Sequence, residues 1–378
     1  MNNVVIAGYA RSPFHFAHKG KLAKVRSDEM SAVVIRSLIN NLNINESDIE
    51  DLIMGCAFPE GEQGFNIARI VGFLSKLPIE VAGTTVNRFC GSSMQSIHIA
   101  AGAIALNAGK VFICAGIESM SRVPMTGFNP MPNKTLYEQS PEVYISMGET
   151  AENVAKKYKI ARVEQDEFAV LSHQKASKAQ KLDNFKSEIV PIDNGQEIVE
   201  NDGCIRPETS IDGLANLKPA FNEDGLVTAG TSSPLTDGSS AVLVCSKDYA
   251  EEHKLPILAS IKSIAVHGCN PETMGMGPVF ATKKALQRAK LSVDDIDIIE
   301  LNEAFASQAL AVIKESKMNI NKVNIDGGAI ALGHPLGATG ARIVGKAASL
   351  LNRENKQFAL ATQCIGGGQG IATILEAA

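Results

Sequence analysis

Leu42-Asn43-Ile44-Asn45-Glu46-Ser47-Asp48-Ile49 returns in diverged form as Lys290-Leu291-Ser292-Val293-Asp294-Asp295-Ile296, so that Asp48 corresponds to Asp295 at an offset of 247 residues. An amphipathic helix precedes each copy, over 30–42 and 281–289, and an apolar strand follows each, at Leu52-Ile53-Met54 and Ile298-Ile299-Glu300-Leu301. Further along, both halves carry a helix rich in small residues, Ser96 to Ile104 and Gly337 to Gly345. Strands at 111–115 and 358–362 come next. Small side chains let two helices approach closely in a buried layer. Strand alternating with helix argues α/β sheets covered on both faces.

The first half is interrupted from Ser119 to about Val242. That stretch opens with Pro124, Pro130, Pro132 and Pro141, holds a helical segment over 148–181, and ends in Gly/Ser/Thr turns through Ser240. The chain therefore divides into a first half (1–118 with 243–257), a loop domain over the site (119–242) and a second half (258–378).

Composition bounds the function. The chain has 378 residues, too many for one ordinary domain, and its 45% hydrophobic and 20% charged content suits a well-packed soluble protein. A net charge of −5 offers no basic field for nucleic acid or an anionic membrane, and an anionic substrate would need a local cationic patch. The start, Met1-Asn2-Asn3-Val4-Val5-Ile6-Ala7-Gly8, lacks the basic flank and apolar length of a signal peptide or membrane span. The terminal Leu375-Glu376-Ala377-Ala378 supplies no organelle address. Seven cysteines with no CxxC spacing indicate neither a disulfide framework nor a structural zinc site, and reduced thiols in a cytoplasm fit best. No metal is expected.

Two of those cysteines sit beside glycine: Cys90 in Val86-Asn87-Arg88-Phe89-Cys90-Gly91-Ser92-Ser93, and Cys364 in Cys364-Ile365-Gly366-Gly367-Gly368-Gln369-Gly370. A thiol is a nucleophile as thiolate, which a positive neighbour or a helix N-terminus favours. Gly91-Ser92-Ser93 has the composition of a helix start, where free N–H groups also hold an oxyanion. Those flanks outweigh the plainer reading of Cys90 as a structural cysteine. Adding the repeat offset to Cys90 gives 337, three residues past His334 in Gly333-His334-Pro335, so each half would contribute part of one site. His334 can deprotonate Cys90 or polarise a thioester oxygen. Pro335 fixes its presentation. His98 and His173 have no comparable setting and read as structural.

The glycines after Cys364 let backbone approach a ligand closely and offer N–H donors. Too little chain follows Gly370 for a βαβ phosphate loop. A thiol there suits proton transfer. Asn302 in Asn302-Glu303-Ala304-Phe305 either orders a water or donates to an oxyanion, or simply caps a helix.

Together these motifs, with Gly327-Gly328-Ala329-Ile330-Ala331-Leu332-Gly333-His334-Pro335, resemble the thiolase superfamily from Val4 to Ile374. The resemblance implies a five-layer αβαβα core from two duplicated halves with the inserted loop domain. It implies that Cys90 takes the acyl group as a thioester, that His334 activates it, and that Cys364 is the acid/base. One oxyanion site would be Asn302 through a water with His334; the other would be the N–H groups of Cys90 and Gly366. Coenzyme A would be a substrate, with no prosthetic group, and the protein a homodimer or homotetramer. Ser233 matches the family's pantetheine-contacting serine. Lys218 stands where many members have arginine, which costs the bidentate fork. Met147, Met274 and Phe305 match residues lining the acyl pocket.

Within the family the wording divides. Arg88 to Gln95 and Ile205-Arg206-Pro207-Glu208-Thr209 look like the degradative 3-ketoacyl-CoA thiolases, while Glu149 to Ala155 and Gly366-Gly367-Gly368 look like acetyl-CoA acetyltransferases. Acetyltransferases commonly place histidine where this chain has Ser146. Two other classes compete: decarboxylating 3-ketoacyl synthases, which typically use two histidines, and a non-catalytic acyl carrier of the same fold, which would be expected to have lost a catalytic residue.

Overall fold

The computed structural model describes residues 4–42 and 44–378, so Asn43 of the repeat and the first three residues of the chain's start lie outside the described residues. The first half supplies β1 (Val4–Arg11), α1 (Ser27–Leu42), β2 (Ile49–Cys56), α2 (Ile67–Leu74), β3 (Ala82–Val86), α3 (Ser92–Ala105) and β4 (Val111–Ser119). The insertion carries α4 (Met147–Tyr158) and α5 (Arg162–Lys181), and β5 (Thr236–Ser246) returns to the first sheet. The second half contains β6 (Ala259–Gly268), α6 (Gly277–Ala289), β7 (Ile298–Leu301), α7 (Ala306–Glu315), α8 (Thr339–Arg353), β8 (Phe358–Ile365) and β9 (Gln369–Glu376).

The strands pair in the order β3-β2-β4-β5-β1-β6-β9-β8-β7. At the centre β1 meets β6 through only Val5↔Ser260 and Ile6↔Ala259. Outward from that junction each half runs antiparallel, antiparallel, then parallel. The parallel bridge Ile299↔Val323 stands where β3 pairs with β2 in the other half. The duplication read from the sequence is thus a mirrored strand order.

Side-chain alternation along these strands builds the five layers. Ile298, Ala359 and Ala361 face inward to α3 and α8, together with Ile53, Phe112, Val242 and Val244 of the first sheet. Their neighbours Ile299, Leu301 and Leu360 face outward to α6 and α7. On the opposite outer face α1 and α2 cover Ile113, Ala241 and Leu243. A sheet buried on both faces leaves no strand position for solvated polar residues, hence the near-continuous apolar runs.

The central layer is thin because its residues are small. A Cβ added at Gly340 of α8 would collide with the backbone of Met94 in α3, and one at Gly116 of β4 with the carbonyl of Gly337. Backbone thus lies on backbone where the halves meet.

The helical segment expected over 148–181 is two helices. Lys159 adopts a left-handed conformation (φ 54°) and ends α4, and α5 restarts after Ala161. Lysine there gives no glycine signal, so periodicity alone runs through the break.

A buried ion network fastens the insertion to both halves. Arg11 binds Asp202 through two bonds of 2.7 and 2.8 Å and Glu188 through one of 2.9 Å. Lys346 of α8 meets Glu188 at 3.0 Å and Asp326 at 2.7 Å.

Two stability measurements follow. Gly340→Val should cost about 3 kcal/mol or more in urea unfolding, since neither backbone can retreat; an unchanged midpoint would contradict the backbone contact. Asp202→Asn should cost about 3–5 kcal/mol by stranding part of the Arg11 charge in the interior, and a loss below 1 kcal/mol would contradict that burial.

Candidate active site

Both chemistry-bearing loops end at the N-terminus of a central helix. Cys90 lies two residues before α3, whose cap is Gly91. The turn that presents it is held by short bonds: Phe89 N–H donates to Asn87 Oδ1 (2.8 Å), Ser92 Oγ to the Phe89 carbonyl (2.6 Å), and Arg88 N–H to Ser92 Oγ (2.9 Å). Phe89 is forced to φ 42°, a costly conformation for a bulky residue, which those bonds over-determine.

His334 precedes α8 and is almost fully buried. Its N–H donates to Thr236 Oγ1 at 3.0 Å, and its Nδ1 lies 2.6 Å from Thr339 Oγ1. The Thr339 hydroxyl donates to the Pro335 carbonyl at 3.0 Å. Its hydrogen being used there, Thr339 Oγ1 accepts from Nδ1–H, and Nε2 is left as the ring's acceptor. Asn302 Nδ2 donates to that Nε2 at 3.3 Å, while Asn302 Oδ1 is buried without a partner among the described residues. Asn302 does not cap a helix: Phe305 occupies the cap of α7.

Cys364 sits near the end of β8, and the following glycines form the hairpin into β9, with Gly367 and Gly368 at φ 77° and 85°. The two positive φ values are why the run is glycine. The hairpin lays Gly366 against the ring of Phe89, the residue before Cys90, and the N–H groups of Gly366 and of Cys90 itself both favour the thiolate.

Burial, not charge, sets the protonation of these groups. It pushes the Cys90 thiol up to about 11 against those two N–H groups, and the Glu118 carboxylate adds to the rise. It pushes His334 down to about 3, with Arg342 acting in the same direction. Burial also raises Cys364 well above the ordinary thiol range, helped by charge on Cys90. The expected positive neighbour of Cys90 does not act on it. The resting site is instead a neutral thiol and a neutral imidazole.

Sequence models of known families decide what this arrangement belongs to. The model of the thiolase N-terminal domain matches residues 4–248 and that of the thiolase C-terminal domain residues 255–377. The chain belongs to the thiolase family. It is 47% identical to a 3-ketoacyl-CoA thiolase of Bacillus subtilis (strain 168), with 100% of both chains covered. A 3-ketoacyl-CoA thiolase of Marinobacter nauticus is also 47% identical, over 99% of this chain and 98% of that one. The crystal structure of human mitochondrial 3-ketoacyl-CoA thiolase superposes with a TM-score of 0.92 at 36% identity, covering 100% of this chain and 99% of that one. A structure of the human enzyme in complex with CoA gives the same TM-score and identity, over 100% and 98% of the two chains. This thiolase is accordingly an acyltransferase.

Around the thiols, Met274, Phe305, Ala151, Val227 and Ala304 form one apolar cluster with Cys364, and Met147 packs against it. Phe221 meets Phe305 edge-on at 5.9 Å. Ser146 is occupied as the cap of α4, in a reciprocal capping box with Glu149. Ser233 donates through both N–H and Oγ to the Ala304 carbonyl at 3.0 Å, which places it at the edge of the cluster. Lys218 stays exposed on the surface of the insertion, outside the cluster. His98 and His173 pair with Thr373 Oγ1 (2.8 Å) and with Arg206 N–H (3.1 Å), away from the thiols.

Sequence reasoning missed several residues of this thiolase's site. Thr339 fixes the His334 tautomer. Glu118 accepts N–H bonds from Ala57 and Gly337, both at 2.9 Å, tying the two halves beneath His334. Gln363 donates to the Cys90 carbonyl. One signal existed: Glu118 and Gln363 are polar residues inside otherwise apolar strands.

Alkylation of Cys90 by iodoacetamide should rise about tenfold per pH unit from pH 7 to pH 10 in the free protein, because the thiol pKa is raised and the thiolate fraction climbs throughout. A plateau reached below pH 8 would contradict the neutral resting pair.

Proposed function

We propose that this thiolase cleaves 3-ketoacyl-CoA with coenzyme A, releasing acetyl-CoA and a shortened acyl-CoA, and catalyses the reverse condensation. The observation that carries the reading is the pair of buried ties around the thiols: Gln363, next to Cys364, donates to the Cys90 carbonyl, and Asn302 donates to Nε2 of His334. One covalent nucleophile and a separate proton shuttle are what a displacement split into two steps requires.

In this reading Cys90 attacks the keto carbon as His334 Nε2 takes its proton. The new oxyanion is held by the N–H groups of Cys90 and Gly366. The carbon–carbon bond then breaks, the enolate oxygen of the departing acetyl-CoA meets the imidazole and a water on Asn302, and Cys364 protonates its carbon. Coenzyme A, a substrate, gives its thiol proton to Cys364 and removes the acyl group through a second oxyanion in the same N–H hole, and the released Cys90 sulfur takes back the proton from His334. No prosthetic group takes part.

The relatives' names and the cap occupied by Ser146 favour thiolysis of chains longer than acetoacetyl. Met147, Met274 and Phe305 would line the acyl group, Ser233 the pantetheine, and Lys218 would meet phosphate as a point charge from the rim. The segment 119–242 would act as the cover, since Ala151 and Val227 from it belong to the pocket cluster. A homo-oligomer in the cytoplasm fits as well: among the described residues β3 pairs only with β2 and its side chains are partly exposed, and Phe65, Phe73 and Ile79 near it lie open.

The test is CoA-dependent cleavage of acetoacetyl-CoA beside a medium-chain 3-ketoacyl-CoA. Both should turn over, the longer substrate with the higher kcat/KM, and Cys90→Ala should abolish both. Cys364→Ala should still acylate Cys90 from acetyl-CoA while losing about 10²–10⁴-fold in cleavage. A wild type inert toward both substrates would sink the proposal.

A further inference from the structure

The two N–H groups that favour the Cys90 thiolate come from different halves of the chain, one from the turn before α3 and one from the β8–β9 hairpin. Few bonds hold these two pieces in register. Gln363, fully buried in β8 and adjacent to Cys364, donates through Nε2 to the carbonyl of Cys90. Its Oε1 is buried with no partner among the described residues, so the side chain is held by its nitrogen. The reversed amide would point oxygen at oxygen, which fixes the orientation. Further out, Arg88 donates to Gln369 Oε1 at 2.7 Å and to Gln95 Oε1 at 2.9 Å, bridging β9 to α3.

Building on the thiolase reading, we propose that Gln363 is a positioning residue for acyl transfer: by clamping the Cys90 peptide to the strand that leads into Gly366, it sets the separation of the two oxyanion-hole donors. The Arg88–Gln369 bond is the outer tie of the same clamp. Only two residues separate Gln363 from Gly366, so the bond at Cys90 O transmits directly to the second donor. The bonds of the Phe89 turn fix Cys90 on the α3 side, and the Gln363 bond fixes it to the strand on the hairpin side. Donors placed about 1 Å wrong lose on the order of 10² in rate.

The reactions to compare are acylation of Cys90 by acetyl-CoA, followed by mass spectrometry, and its alkylation by iodoacetamide. Acyl transfer builds an oxyanion; alkylation at a saturated carbon does not. Gln363→Met keeps the side chain's length and removes the donor. Acylation and kcat should fall about 10- to 100-fold with KM within about twofold, while alkylation stays within about twofold of wild type. Parallel loss of both reactions would overturn the proposal, because the glutamine would then merely present the thiol, and so would unchanged acylation. Should Gln363→Met fail to fold, Gln369→Leu severs the outer tie and should slow acylation about fivefold or more with alkylation unaltered; equal effects on both would overturn it. A wild type that is never acylated would refute the thiolase reading together with this inference, whereas an acylated wild type matched by its variants would refute the inference alone.

Discussion

The whole molecule depends on α3 and α8 lying against each other between the two sheets. Glycine at Gly340 is what lets α8 approach the backbone of α3 at Met94. Both helices begin at the same end of the layer, so the loops before them, carrying Cys90 and His334, converge. Fusing two copies of one unit around a common central layer gives a site that neither unit could form. The mirrored strand order places a nucleophile turn and a histidine turn at nearly equivalent points.

Burial then decides the chemistry. A thiol pushed up to about 11 and an imidazole pushed down to about 3 cannot form a resting ion pair. Such a pair keeps the nucleophile protonated until substrate arrives, and makes proton transfer part of the attack. Thr339 matters here more than any charge, because by accepting from Nδ1 it leaves Nε2 as the basic atom. The apolar wall of Met274, Phe305 and Val227 supplies the low dielectric in which a few N–H donors stabilise an oxyanion strongly.

The insertion is held by a different device. Arg11, Glu188, Asp202, Asp326 and Lys346 form a buried network spanning the first half, the insertion and α8. Buried ion pairs of this kind add little net stability over apolar packing, yet breaking one partner is costly. Their effect is to fix where the insertion sits, and so to seat Met147, Ala151 and Val227 beside Cys364.

The sequence by itself determined the duplication and the alternation of strands with helices, because those follow from local periodicity; the five layers came with the resemblance to the thiolase superfamily, which the family models bear out, and the candidate reactive side chains were read from motifs whose glycines and proline constrain the backbone. It determined less of the site's support. Gln363 and Glu118 are polar residues in apolar strands whose partners, Cys90 and Gly337, lie 273 and 219 positions away. The break at Lys159 was invisible because a lysine, unlike a glycine, does not announce the left-handed cap that its N–H makes to the Ala155 carbonyl. Periodicity reports what a segment buries, not which distant atom it meets. Only the tertiary structure decided that Asn302 faces His334 rather than capping a helix, and that burial leaves both thiol and imidazole neutral, because protonation depends on solvent exclusion by all five layers at once.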